Sequence, residues 1–399
     1  SRGIHRIGSG AGGRGRAYRK TTRYALVMVN VVVFVAGLLL VVWTLMSAIR
    51  TVILPRSAQS IITRVVFLAL RTPFRWMASE RRDFAARDRV MALYAPVALV
   101  TLVAVWLLLI TVGYTAMFWA LDDGSLSSAI HLATSSITTL GFAAADDLPE
   151  QLLAFTSAGV GLFILTLMIT DLPTMFSAFS RRETMVALLE VRAGTPPSAA
   201  EFLLRHHRIG WLEEMDETWL DWERWFAVLE EAHTSYAALN FFRSPQPDRS
   251  WVTAAGTVLD AASLSSAAIV TGMQGPKGVC IRSGFLALRR IADFFGLVYD
   301  PDPAPDDPIS ITRGEFDAVW TRLAEAGVPL VDDQDQAWRD FAGWRVNYDV
   351  VLLAIAELTM APYAPWSSDR SGPRHQRPRL GKFATRLSPK RADRSSGAG

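Results

Sequence analysis

Three long, uncharged, apolar runs govern what this chain can become. Tyr24 to Ile49 carries no charge over 26 residues, and Val90 to Leu121 none over 32. Gln151 to Thr170 forms a third run, which continues through Asp171 and Pro173 to Ser180 and stops at Arg181-Arg182. About 20 apolar residues cross the hydrocarbon core of a bilayer as a helix. A helix also satisfies its own backbone, as a membrane span must. The runs therefore predict an all-α integral membrane protein with spans at 24–49, 90–121 and 151–180. The first run is too long for a signal-peptide core, and Arg50 follows it where a small-residue cleavage site would stand.

Charge placement suggests which segments stay in water. Net charge is only +3 over 399 residues, yet the first 23 hold seven Lys/Arg and no acid. Residues 1–23 read as a basic, disordered juxtamembrane tail. RNA binding is the competing reading of such a tail, and no nucleic-acid partner is expected. Nine arginines lie between Arg50 and Arg89, against Glu80, Asp83 and Asp88. By the positive-inside bias this 50–89 linker is cytoplasmic. Its apolar centre, Ile61 to Leu70, is interrupted by Arg64, and Arg71 follows. An arginine at the bilayer centre costs at least about 2.5 kcal/mol. The centre is thus expected to be an amphipathic helix on the membrane surface. If the linker and everything after Arg181 are cytoplasmic, the second and third spans form a hairpin opening outward. The first span would then place its basic tail outside, against the bias, unless it does not fully cross.

Residues 181–365 are richer in charge and read as a helical cytoplasmic domain. Leu212, Met215, Trp219, Trp222, Phe226 and Leu229 alternate spacings of three and four, a seam for packing on other helices. Thr312 and Glu315 form a capping box before Phe316. Val350 to Met360 reads as a buried helix. Asp260 to Met273 is a weak candidate for a fourth span. Residues 366–399 read as a second basic, disordered tail. The single cysteine, Cys280, excludes an intrachain disulfide framework and a multi-cysteine zinc site.

Between the second and third spans lies Ser125 to Pro149, moderately polar and full of small and hydroxyl residues, where a loop between spans is usually frankly hydrophilic. Ser125 or Ser127 can cap a short helix, 125–137. Thr138, Thr139, Leu140, Gly141, Phe142 and Ala143 follow, and then Asp146 and Asp147. In its order of span, short helix, T-T-L-G-F, acid, Pro and span, the stretch 90–181 resembles the pore-loop potassium channel family, of the bacterial two-transmembrane pore type. The family's filter is T-V-G-Y-G, followed by Asp and Pro. Thr139 matches its Thr, Leu140 its Val, Gly141 its first Gly and Phe142 its Tyr. Ala143 stands where the family has its second glycine, and Phe142 lacks the tyrosine hydroxyl. A left-handed conformation at Ala143 would cost roughly 1 kcal/mol or more.

The resemblance implies a potassium-channel-like helix–pore loop–helix module at 90–180, with an extra N-terminal span and the helical cytoplasmic domain attached. Within a filter at 138–143, the carbonyls of Thr139 to Phe142 and the Thr139 hydroxyl would replace the hydration shell of a permeant K+, with no other cofactor. Asp146 and Asp147 would form an acidic outer mouth. One loop per chain implies a homotetramer in the plasma membrane. Gly159 and Gly161 fall where the family's gating hinge lies, or are small residues for helix packing. Asp171 would concentrate cations at the inner mouth, or pair with Arg181 or Arg182.

The remaining signals are weak. His206-His207 reads as a solvated pair, and Asp332-Asp333-x-Asp335 lacks the glycine and closing Glu of an EF-hand. Gly275-Pro276-Lys277-Gly278 reads as a turn. The expected function is passive, K+-conducting cation transport without catalysis. Two other classes stay open: a pore-loop-derived scaffold or signalling protein that does not conduct, and a membrane-anchored helical domain with an unrecognised activity.

Overall fold

The computed structural model describes residues 11–52, 60–78, 84–121, 125–270 and 272–370. The expected tails at 1–10 and 371–399, and parts of the basic linker at 53–59 and 79–83, lie outside the described residues. Those residues form thirteen α-helices, one short 3-10 turn and no strand. In order they are α1 (Ala11–Val52), α2 (Ile61–Met77), α3 (Phe84–Ala92), α4 (Tyr94–Leu121), α5 (Leu126–Ile137), α6 (Leu148–Ala193) and α7 (Ala199–Arg208). After these come α8 (Asp216–Ser235), α9 (Trp251–Ala268), α10 (Gln274–Phe295), α11 (Arg313–Glu325), α12 (Gln334–Arg345) and α13 (Asp349–Thr359). Three stretches are long and apolar enough to cross a membrane: Leu26–Val52, Ala86–Leu121 and Leu148–Ala193. The chain divides into two units, residues 1–72 with 97–174, and residues 73–96 with 175–399.

The first unit holds the apolar helices and α5. Helix α1 starts at Ala11 rather than Tyr24, so part of the expected tail is helical. Ala, Arg and Lys favour extending a helix already nucleated, and Gly12, Gly13 and Gly15 oppose it. Helices α1 and α4 run antiparallel in close approach. A Cβ on Gly37 would lie 2.5 Å from the Gly113 carbonyl oxygen, and one on Gly113 2.6 Å from a Val41 methyl. Further along, Trp106 donates its indole N–H to the Ser47 hydroxyl at 3.2 Å. Ser47 also hydrogen-bonds Ser60, and the Thr51 and Thr63 hydroxyls meet at 2.8 Å. These bonds fasten α2, whose buried face is Ile62, Thr63, Val66 and Phe67. The expected amphipathic helix is present, and it is bonded to α1. Pro96 sits in the first turn of α4, where its missing N–H costs nothing and a new helix can begin after Leu93.

The second unit is a helical bundle centred on α9, of which nearly every residue is buried. Asp260 to Ala268, expected as part of a weak fourth span, is thus the second half of a core helix. Small residues let neighbours approach: a Cβ on Gly284 of α10 would lie 2.6 Å from Leu259 and 2.8 Å from Phe226. The seam on and before α8 is buried from Leu212 to Leu229, and the capping box at Thr312 is formed. Helix α13 is buried, as its composition indicates. At its heart Arg345, fully buried, donates to Asp260, to Asp349 at 2.7 Å and to the Trp366 carbonyl at 2.6 Å. Tyr348 donates to Asp260 at 2.9 Å, and Ser310 donates twice to Asp349. Burial pushes the Asp260 carboxyl upward and the guanidinium of Arg345 pulls it back.

Four further expectations change. Helix α6 does not stop at Arg181-Arg182 but runs to Ala193, where Gly194 takes φ 80°. Arginine is a good helix former, so an arginine pair ends an apolar run without ending the helix. Arg182 is buried and donates to the Leu239 and Phe242 carbonyls at 2.8 and 3.0 Å, beside His233 and Glu183. Gly275 to Gly278, expected as a turn, is the first turn of α10, with Pro276 near its start. His206 is buried against Phe202, and its Nδ1 lies 2.7 Å from the Phe202 carbonyl, so the histidines are no solvated pair. The order expected to end at Pro365 extends to Arg370: Ser367 is buried, and Arg370 donates to Glu315 at 2.6 Å and to the Ser310 carbonyl at 2.7 Å.

Candidate functional site: the loop between α5 and α6

Helix α5 occupies 126–137, with Ser125 as its N-cap. The Ser125 hydroxyl accepts the Ser128 N–H at 3.2 Å. Ala129, Leu132, Ala133, Ser135 and Ile137 form its buried face. The helix ends because its successors fold back onto it. Thr138 N–H donates to the Thr134 carbonyl at 3.1 Å, and Thr139 N–H to the Ser136 carbonyl at 3.0 Å. Leu140 and Gly141 both donate to the Ser135 carbonyl, at 3.1 and 3.5 Å. Ala143 N–H donates to the Ser135 hydroxyl at 3.0 Å. The orphan carbonyls at the end of α5 are thereby satisfied by the segment that follows.

Among the described residues no hydrogen bond ends on the carbonyl oxygens of residues 138–142. All five residues are exposed in the single chain, Leu140 by 71% and Phe142 by 57%. The backbone carries positive φ at Thr139 (55°) and Gly141 (70°), and at no residue between them. Alternation of this kind turns successive peptides so that N–H groups gather on one side of the strand and carbonyls on the other.

The strain falls at a different residue from the one the sequence suggested. Ala143 has no positive φ, whereas Thr139 does. Thr is β-branched, and a left-handed conformation is a genuine outlier for it. Such a residue costs of order 1–3 kcal/mol and persists only where its surroundings over-determine it. Here the Thr138, Thr139 and Leu140 N–H bonds on either side hold it. Gly141 is in the region that glycine tolerates, and a Cβ there would meet nothing within 4 Å.

Asp146 and Asp147 are exposed at the entrance to α6. Asp146 N–H donates to Glu150 at 3.2 Å, and Gln151 donates to the Ala145 carbonyl at 3.3 Å. The two acids therefore sit at a helix N-terminus, where negative charge is favourable. They have this structural use whether or not an ion passes.

The two glycines of α6 separate. A Cβ on Gly161 would collide with the Ile137 carbonyl oxygen, so α6 meets the last turn of α5 at bare backbone. Gly159 is exposed, with nothing within 4 Å of its missing Cβ. Packing explains Gly161 and leaves Gly159 unexplained. Asp171 is half-buried and forms no ion pair among the described residues. Arg182 is engaged by Glu183, and Arg181 by the Ser177 hydroxyl. The expected Asp171–arginine pair is absent. His131 of α5 contacts Phe142 edge-on, with ring centroids 6.2 Å apart.

Residues Ser135 and Glu150 were not singled out from the sequence. Each is one of several similar side chains nearby, and only the fold selects it. Ser136 and Thr138, of the same chemistry, bond back to the Leu132 and Thr134 carbonyls of their own helix. Elsewhere, Asp333 caps α12 and Asp335 pairs with Arg313, so neither is free for a metal. Among the described residues no group of three potential ligands is gathered. No family model, no curated protein and no solved structure matches the chain.

Proposed function

We propose that this chain is the subunit of a passive, potassium-conducting channel, in which four copies surround one pathway lined by residues 138–143. The observation that carries the reading is the split of the loop backbone. The N–H groups of Thr138 to Gly141 and of Ala143 are bound to the end of α5, and among the described residues the carbonyls at 138–142 are unengaged, between two helices apolar enough to span a membrane. Irregular backbone at membrane depth is tolerated only inside protein or along a water-filled cavity. A ring of carbonyls along such a cavity substitutes for the hydration shell of a cation. The Thr139 hydroxyl extends the ring inward, and Asp146 and Asp147 raise local cation concentration outside. Asp171, without an ion pair among the described residues, is suited to the same role at the inner end. The protein then lies in the plasma membrane, with the second unit cytoplasmic. Transport involves no chemical step.

The experiment is K+ and Na+ flux into liposomes containing the purified chain, with oligomer size measured in mild detergent. Selective K+ uptake by a tetramer supports the reading. A monomer or trimer, or liposomes no leakier than protein-free ones, favours instead a non-conducting scaffold built on the same loop.

A further inference from the structure

The Ser135 side chain occupies an unusual place in the loop. It is buried, at 1% exposure, one turn from the end of α5. Its hydroxyl accepts a hydrogen bond from a residue eight positions later, Ala143, at 3.0 Å. Its carbonyl accepts from Leu140 and Gly141. One residue therefore receives three of the N–H groups that hold the loop. The carbonyl is part of the helix and remains whatever the side chain. The hydroxyl does not, and among the described residues it accepts the one hydrogen bond at the far end of the segment. On either side of Ala143, Phe142 and Ala144 have N–H groups with no acceptor among the described residues.

We propose that Ser135 is a specificity-determining positioning residue. Through the Ala143 N–H, its hydroxyl holds residues 139–142 at the spacing that separates K+ from Na+. The inference rests on the conduction proposed above. Its logic is geometric. A segment held at one end only can shorten, and a shorter spacing between carbonyl rings suits a smaller ion. Glycine at position 143 would let the backbone choose its conformation freely. Alanine there, outside the left-handed region, narrows that freedom, and the Ser135 hydroxyl fixes where its N–H lies. The residue does not touch the ion, so its loss alters discrimination rather than abolishing flow.

The test compares wild type, Ser135→Ala and Ser135→Thr in liposomes, reading K+ and Na+ flux separately and checking assembly by size exclusion. Ser135→Ala is expected to lower the K+/Na+ flux ratio at least about fivefold, the equivalent of one lost hydrogen bond, with total cation flux retained. Ser135→Thr keeps the hydroxyl and is expected to restore the ratio. An assembled Ser135→Ala channel with the wild-type ratio overturns the proposal and leaves conduction standing. A wild type that conducts nothing overturns conduction itself. If Ser135→Ala does not assemble, amide hydrogen exchange in the wild type decides. Slow exchange at Ala143 relative to Phe142 and Ala144 supports the clamp, and equal rates overturn it.

Discussion

Replacing Gly141 by alanine isolates backbone conformation from every other property of the loop. The position has φ 70°, which an L-residue adopts at a cost of about 1–2 kcal/mol. The added methyl would meet no atom within 4 Å, so no clash is added. At about 1.4 kcal/mol per factor of ten, the intact loop conformation becomes some 5- to 30-fold less favoured in each chain. In a four-chain filter the penalty applies to each copy, so the fraction with all four loops in place falls far more steeply. Thr139 already holds a left-handed conformation two residues away, and the segment has little tolerance for a second. The expected result is a large loss of K+ flux in Gly141→Ala liposomes, with the K+/Na+ ratio moving toward one in whatever flux remains. Gly210 provides a matched control. It has φ 77° and open space around its missing Cβ, but lies between α7 and α8 in the second unit. Gly210→Ala carries the same backbone penalty and is expected to leave flux intact. If Gly141→Ala conducts and selects like the wild type, residues 138–143 are not the filter.

Three further outcomes follow from the packing. Gly161→Ala drives a methyl into the Ile137 carbonyl and is expected to destabilise by about 1–3 kcal/mol, whereas Gly159→Ala is expected to be neutral; thermal unfolding in detergent compares them. Arg345→Leu leaves Asp260 and Asp349 buried without their cation and is expected to cost about 3–5 kcal/mol, read by the tryptophan fluorescence of the Trp-rich second unit. The guanidinium of Arg370 holds the Glu315 carboxyl down at about 2. Because the folded value lies below the unfolded one, this contribution is present above about pH 4.5 and is lost as pH falls toward 2. Arg370→Ala is expected to flatten the acid side of the stability profile over that window.

What could be read in advance depended on how local the cause was. Helix α5 and its start were legible because Ser125 is a cap followed by a short amphipathic pattern. The α8 seam was legible because large apolar residues recur at helical spacing. Helix α9 was hidden for the opposite reason. It is buried all round, and a helix apolar on every side shows no periodicity. Its resemblance to a span was the resemblance of one buried helix to another. The end of α6 was misplaced because Arg181-Arg182 ends an apolar run and not a helix, and the acceptors that let Arg182 be buried lie on residues 239 and 242, which no local pattern announces. The same holds for the loop. That a glycine was required at 141 followed from its conformation. That the strained residue would be Thr139 and not Ala143 followed from which N–H groups reach back to α5, and only the fold decides that.

The hydroxyls shared by α1, α2 and α4 bear on a problem peculiar to apolar helices. In lipid, a smooth rod of Val and Leu has no preferred azimuth, because every face is equally at home among acyl chains. Hydroxyl bridges in such surroundings add little adhesion, about 0.6 kcal/mol on average. Their value is angular. Ser47, with Ser60 and Trp106 upon it, and Thr51 facing Thr63, mark one side of α1 at its lower end. The bare backbone of Gly37 marks a side higher up. Two marks at different heights fix both the rotation of a rod and its sliding along its neighbour. Helix α1 is therefore keyed, as a shaft is keyed to a hub. A generic apolar anchor of the same length would enter the membrane in its place but would have no defined seat on α4.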